Sequence, residues 1–143
     1  MSPGSESRIS PARPGDDGPA LEWQYRLAAA ADAFAAVRLP FGGAQGRDRL
    51  QLRASADRPM RLWVQLRAPS SAEGERWGQT VYLDATDRAH DLFFDAFEPL
   101  GNVSSAEPRL EDVDAVLLVV DTVNTRPGSS GRVRIAEVAL AAP

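Results

Sequence analysis

Apolar and polar residues alternate along much of this sequence, and the alternation predicts β-strands. The segment 61–68 reads R-L-W-V-Q-L-R-A, with an apolar residue at every second position. Successive side chains of a strand point to opposite faces, so the segment has one inward and one outward face. The inward residues are Leu62, Val64 and Leu66, and the outward residues are Trp63, Gln65 and Arg67.

Seven further segments have the length and pattern of strands and are separated by glycine- and proline-containing turns. They are 21–27, 33–41, 49–55, 80–84, 91–97, 113–122 and 132–140. About eight short strands at this spacing, with few helical patterns, predict an all-β antiparallel jelly-roll sandwich. One alternative stays open, because the alanine-rich segment 28–36 also suits a helix capped by Asp32.

The first twenty residues contain mainly proline, glycine, serine and charged residues. Such a segment buries too little apolar surface to offset the entropy lost on ordering. Residues 1–20 are therefore predicted to be a disordered tail or linker, and residues 21–141 the sandwich domain.

The segment Val116–Val120 is apolar at every position, so both of its faces should be covered. The sandwich interior covers one face. The other is covered by the N-terminal segment, by a neighbouring domain, or by a second copy of the chain in a homodimer. Cover from within the same chain is favoured.

Length and composition narrow the class of protein. The 143 residues suit one domain, and the net charge of −4 argues against binding to nucleic acid or an anionic membrane. No apolar run reaches the roughly 20 residues of a membrane span. Without a hydrophobic signal segment the default location is the cytoplasm, or outside it if the domain has been separated from a longer secreted protein.

Few residues are suited to catalysis. Cysteine is absent and His90 is the single histidine, which excludes disulfides, thiolate sites and multi-histidine metal cages. His90 lies near Arg88 and Asp91, where a solvated turn histidine is expected. Nucleophile-elbow and phosphate-loop motifs are absent, and carboxylate pairs arise by chance among twenty acidic residues. A non-enzymatic function is predicted.

The second half of the chain resembles the galactose-binding-domain-like jelly rolls. The segments that carry the resemblance are 61–67, 76–84, 91–97, 114–124 and 127–138. Similar domains include bacterial carbohydrate-binding modules and the domain of complex I intermediate-associated proteins, so the resemblance implies a non-catalytic carbohydrate-binding domain. An acidic pair in the closing strand of such modules helps to hold calcium. Ala136 and Glu137 stand there and supply one carboxylate, so no cofactor is predicted and the case for calcium is weak.

An outward face with aromatic and polar residues suits a glycan, because a sugar offers an apolar C–H face and a rim of hydroxyls. The candidate ligand-binding residues are Arg53, Trp63, Gln65, Arg67, Trp77, Tyr82 and Asp84. Two alternatives stay open. Gln65, Arg67 and Asp84 could form a cross-strand polar ladder that stabilises the sheet, or the domain could be a scaffold that docks on a partner protein without binding sugar.

Overall fold

Ten β-strands and two short 3-10 turns form the part of the chain that the computed structural model describes, residues 2–15, 18–42, 44–69 and 74–142. The strands are β1 (Glu6–Gly15), β2 (Gly18–Arg26), β3 (Phe34–Pro40), β4 (Arg49–Ala56), β5 (Met60–Ala68), β6 (Glu75–Leu83), β7 (Arg88–Phe93), β8 (Glu98–Leu100), β9 (Ala115–Asp121) and β10 (Ser130–Ala141). The 3-10 turns are Phe94–Ala96 and Leu110–Asp112.

The strands form two five-stranded sheets. Sheet A has the order β1-β2-β10-β4-β7, and sheet B has the order β3-β9-β5-β6-β8. Every pair of neighbouring strands is antiparallel. The prediction of an all-β jelly-roll sandwich is confirmed, with ten strands rather than about eight.

The hydrophobic core lies between the two sheets and follows the predicted strand faces. Residues predicted to point inward are at most 5% exposed: Leu50, Leu52, Leu62, Val64, Leu66, Val81, Leu83, Val133 and Ile135. Trp23, Tyr25 and Leu27 are buried as well, whereas Leu21 is 37% exposed. The alternation therefore identified the inward face of these strands correctly. An error of one residue in the pattern would have placed each of these side chains on the outer face.

The prediction of a disordered tail over residues 1–20 is corrected by β1, which pairs with β2 at the edge of sheet A. Ser7 on β1 links the two sheets. The indole Nε1 of Trp23 donates to Ser7 Oγ at 2.7 Å, and that hydroxyl donates to the Ala36 carbonyl on β3 at 3.1 Å. Backbone pairing and these bonds order a segment that has little apolar surface to bury. The sandwich therefore begins before Leu21.

Two local predictions also differ from the structure. The helical alternative for 28–36 is wrong, since this segment turns and then enters β3 at Phe34. The segment 91–97 is divided by the 3-10 turn Phe94–Ala96, whose Phe94 ring packs against Phe97 in the core. In both segments the tertiary structure overrides the helix or strand propensity of the local sequence.

Strand β9 runs between β3 and β5 in sheet B, which explains its continuous apolar run. Val116, Leu118 and Val120 face the core and are fully buried. On the outer face Val119 is only 7% exposed and lies opposite Trp63. Cover from the same chain is confirmed for Val119. It comes from a neighbouring strand, not from the N-terminal segment, which lies on sheet A.

Candidate functional site

An open groove of about 760 Å³ lies on the outer face of sheet B. Most of its lining is apolar and includes Phe34, Ala36, Trp63, Leu100, Val119 and Val123. The strands β3, β9, β5 and β6 cross beneath it, and β8 forms one side. The groove is thus a preformed concave surface on a sheet whose other face packs in the core.

Trp63 lies in the middle of β5, opposite Thr80 on β6 and Val119 on β9. Its side chain is half-buried, and its Nε1 is buried without a hydrogen-bond partner among the described residues. Because the polar nitrogen is turned away from solvent, the part of the indole that lines the groove is carbon. This surface suits an apolar ligand face.

Gly78 on β6 allows three side chains to meet in the groove. A methyl group at this position would come within 2.8 Å of the Leu100 side chain and within 3.4 Å of Gln65 and of the Trp63 ring. The approach to Leu100 is closer than van der Waals contact allows, and those to Gln65 and Trp63 are at its lower limit, so the three side chains pack around a residue without a side chain. Glycine here sets the depth of the groove.

Charged residues occupy one end of the same face. Arg67 Nη1 lies 3.2 Å from an Asp114 carboxylate oxygen, and Arg38 Nη2 lies 3.6 Å from that carboxylate. Arg76 Nη1 is 3.5 Å from Gln65 Oε1, at the limit of a hydrogen bond. The polar ladder considered as an alternative therefore exists in part, but Arg67 pairs with Asp114 and not with Asp84.

Four of the predicted site residues share the outer face of sheet B. Trp63 and Gln65 line the groove, and Gln65 is only 6% exposed although it points outward. Arg67 follows on β5. Tyr82 is 46% exposed on β6, opposite Arg61 and beyond the groove lining. The structure thus brings Trp63, Gln65 and Arg67 together along one strand, with Tyr82 at the far corner.

The remaining three predicted residues lie elsewhere. Trp77 is fully buried in the core, where its Nε1 donates to the Ser105 carbonyl at 3.0 Å. Arg53 belongs to β4 of sheet A and pairs with Asp87 at 3.4 Å. The Asp84 carboxylate accepts the Thr86 N–H at 2.9 Å in the turn after β6. These three placements correct the sequence prediction for a shared binding face.

Sequence reasoning missed most of the groove lining, including Phe34, Arg76, Leu100 and Val123. The sequence did contain a signal for Arg76. If the alternation is extended from Val81 towards the N-terminus, Trp77 points inward and Arg76 points outward. The prediction began this strand at Thr80, although β6 starts at Glu75. For Phe34, Leu100 and Val123 there was no such signal, because their positions depend on which strands become neighbours.

The sequence pattern predicted that His90 is a solvated turn residue, and the structure corrects this prediction. His90 lies within β7 of sheet A, opposite Leu52 on β4, and its Nε2 is buried without a partner among the described residues. Burial lowers the pKa of His90 below its ordinary value, and the nearby Arg88 guanidinium lowers it further. His90 is on the other sheet from the groove, so it is not part of the candidate site.

The lowered pKa of His90 predicts a pH-dependent stability. The unfolded chain binds a proton on this imidazole at higher pH than the folded chain does. The folded domain should therefore lose stability as the pH falls from about 7.5 to 5.5, through the ordinary histidine pKa of about 6.5. Urea unfolding midpoints of the wild type and His90→Gln at both pH values measure this loss. We expect a smaller drop in the variant, and equal drops would contradict the assignment.

The described residues contain neither a metal-ligand cluster nor a membrane-spanning helix. No group of three or more histidine, aspartate or glutamate side chains in this part of the chain is arranged to hold a metal ion. Within the same residues, no helix has the length and apolar character needed to cross a membrane. Glu137, the acidic residue matched to the calcium pair, is exposed on β10 opposite Arg53.

Comparison with known proteins gives matches in structure but not in sequence. No protein-family model and no curated protein matches the chain. A family 11 carbohydrate-binding module from Clostridium thermocellum, solved with a β-1,3-1,4-mixed-linked tetrasaccharide, superposes with a TM-score of 0.76 at 12% identity, covering 99% of this chain and 85% of that one. The family 11 module of the cellulosomal cellulase Lic26A-Cel5E of the same organism gives 0.75 at 14% identity, with the same coverage.

An exo-β-agarase also contains a similar region. Its TM-score is 0.63 at 8% identity, and the match covers 97% of this chain but only 22% of the agarase. At these identities the likeness concerns the fold alone. The chain therefore has the β-sandwich jelly-roll fold that is also found in family 11 carbohydrate-binding modules.

Proposed function

We propose that this domain is a non-catalytic module that binds a glycan in the groove on the outer face of sheet B. The observation that carries the proposal is the pairing of an apolar, Trp63-lined groove with polar groups at its ends. Gln65 and Arg76 lie at one end, and Asp121 and Thr122 lie at the other. These are the two kinds of contact that a sugar chain requires.

The contacts differ in what they contribute to binding. The carbon surface of Trp63 offers a stacking platform for the C–H face of a sugar ring, at a low entropy cost because the side chain is already packed. Gln65, Arg76, Asp121 and Thr122 can donate or accept hydrogen bonds to hydroxyls. Since the floor of the groove is formed by strands, that part of the site needs little reorganisation on binding.

The structural neighbours support a glycan as the ligand class. A family 11 module binds a β-1,3-1,4-mixed-linked tetrasaccharide, and the agarase contains a similar region within a longer chain. We extend only the ligand class to the present domain, because the identities of 12% and 8% leave specificity open. The mixed-linked tetrasaccharide and agarose oligosaccharides are suitable first probes.

Replacing Trp63 by alanine should strongly weaken glycan binding. The change removes the carbon surface of the groove, and loss of one stacked aromatic ring weakens binding by roughly 10-fold or more. Affinity electrophoresis in gels that contain mixed-linkage β-glucan, galactan or agarose measures the effect as loss of saturable retardation. Circular dichroism melting confirms that the variant remains folded.

Phe93→Ala provides a matched control for this experiment. Phe93 is 44% exposed, but it lies on sheet A and stacks under Arg49 at 5.6 Å. This variant should be retarded as strongly as the wild type. The proposal is wrong if a folded Trp63→Ala variant keeps full retardation, or if a broad neutral and acidic glycan panel shows no binding.

A docking surface for a partner protein is the second candidate function. The groove mouth exposes Val123 by 78% and Phe34 by 37%, and such large apolar side chains also suit a protein interface. A second copy of the chain could be that partner. A blank glycan panel together with a concentration-dependent dimer in sedimentation experiments would favour this function over glycan binding.

A further inference from the structure

Arg67, Arg38 and Arg76 lie at the positive end of the outer face of sheet B, and two of them share one carboxylate. Arg67 and Arg38 both approach Asp114, at 3.2 Å and 3.6 Å. Arg76 lies directly opposite Arg67 in the pairing of β6 with β5, and it makes no ion pair with any residue that the structure describes. Within the described residues, Arg67 and Arg38 share a single carboxylate, so positive charge is in excess around these three arginines.

The cross-strand pair of Arg67 and Arg76 is unfavourable by itself, because like charges opposite each other destabilise a sheet. Glu98, the nearest acidic residue on β8, lies opposite Gly78 and not opposite Arg76. Its side chain is exposed and makes no ion pair within the described part of the chain. Among the residues that the structure describes, no carboxylate is therefore paired with Arg76.

The position of Arg76 connects this charge to the ligand site. Arg76 lines the groove together with Leu100 and Trp63, and among the described residues its guanidinium contacts the amide oxygen of Gln65. Asp32 and Asp121 line the opposite end. The groove is thus positive at one end and negative at the other, with an apolar floor between them, and an anionic ligand group fits the Arg76 end alone.

We propose that the glycan bound in this groove carries an anionic substituent, a carboxylate or a sulfate ester, which lies between Arg76 and Arg67. The planar guanidinium fork binds both of these oxyanions through paired, charge-assisted hydrogen bonds. The inference rests on the proposed glycan-binding function and adds the charge class of the ligand. It assigns Arg76 as the residue that selects an acidic over a neutral sugar.

A matched pair of oligosaccharides tests the selectivity. The β-1,3-1,4-mixed-linked tetrasaccharide is compared with the same tetrasaccharide oxidised to carboxylates at C6, by titration calorimetry at low salt. We expect at least fivefold tighter binding of the oxidised form by the wild type. Arg76→Gln should remove the difference, while Arg109→Gln should keep it. Arg109 is an exposed arginine outside the groove, so this variant controls for the change in net charge.

Side-chain NMR tests the position of the anion independently of the sugar backbone. The arginine Nε–Hε signals are followed during titration with glucuronate, glucose 6-sulfate and glucose. Shifts of Arg76 and Arg67 with either anion, and not with glucose, support the proposal and identify which anion is preferred. Equal shifts at Arg109 would overturn it, since they would indicate general electrostatic attraction.

The outcomes separate this inference from the proposed function. Equal affinity for the two tetrasaccharides, or preference for the neutral one, overturns the inference and leaves glycan binding intact. A preference for the oxidised form that survives in Arg76→Gln also overturns it. Absence of binding to both tetrasaccharides and to the wider glycan panel, with no arginine shifts, overturns both proposals.

Discussion

Val64→Asp is expected to prevent the domain from folding. Val64 is fully buried in the core, with 0% of its surface exposed to solvent. It lies in the middle of β5, between Gln79 of β6 and Leu118 of β9. An aspartate there loses the burial of the valine and leaves a carboxylate without a partner. The cost should exceed about 4 kcal/mol, a large part of the roughly 5–15 kcal/mol that stabilises a typical domain. Circular dichroism and urea unfolding measure the loss of the cooperative transition.

Val123→Asp is the matched control, since it makes the same chemical change at a valine that is 78% exposed. Its unfolding midpoint should stay close to that of the wild type. A cooperative, nearly unchanged transition in Val64→Asp would show that this face of β5 is not the core face. The strand register on which the groove depends would then be wrong as well.

Deletion of residues 2–15 should destabilise the domain by roughly 3–6 kcal/mol. The deletion removes β1 from the edge of sheet A and leaves the fully buried Trp23 without the hydroxyl that accepts its indole N–H. It also removes Ser5 Oγ, which accepts the Ala28 N–H at 3.0 Å. The fall in the thermal unfolding temperature measures the effect.

Single variants show how much of this loss comes from the link between the sheets. Ser7→Ala should cost about 1–3 kcal/mol, because a buried donor loses its partner. Ser10→Ala, on the outward side of the same strand, should be nearly neutral. If the deletion melts at the wild-type temperature, the segment is a dispensable tail, as its composition suggested.

Alternation predicted the inward faces because each residue carries that information in its own polarity. Leu62, Val64 and Leu66 are buried because they share one face of β5, and turning that face to the core removes all three side chains from water. The ordering of β1 was not predictable in this way. Its stability comes from backbone pairing and from the Ser7 hydroxyl, and serine and proline give no periodic signal.

The candidate site was predictable only within a single strand. Trp63, Gln65 and Arg67 were placed on one face correctly, because they share β5. The placement of Arg53 on this face was wrong because β4 and β5, although consecutive in the chain, belong to different sheets. The placement of Trp77 in the site was wrong because the predicted strand began at Thr80, whereas β6 begins at Glu75. Residues from separate strands form one site only through the order of strands in a sheet, which polarity patterns do not encode.

The central position of β10 in sheet A has a consequence for biosynthesis. This strand is the last of the ten, yet it joins β2 on one side to β4 on the other. Until Ser130–Ala141 has left the ribosome, the β1-β2 hairpin and the β4-β7 pair cannot be joined into one sheet. The inner surface of sheet B then has only two separate halves to pack against. Because closing such distant pairings is slow, the nascent chain should depend on protection from aggregation until its final strand inserts.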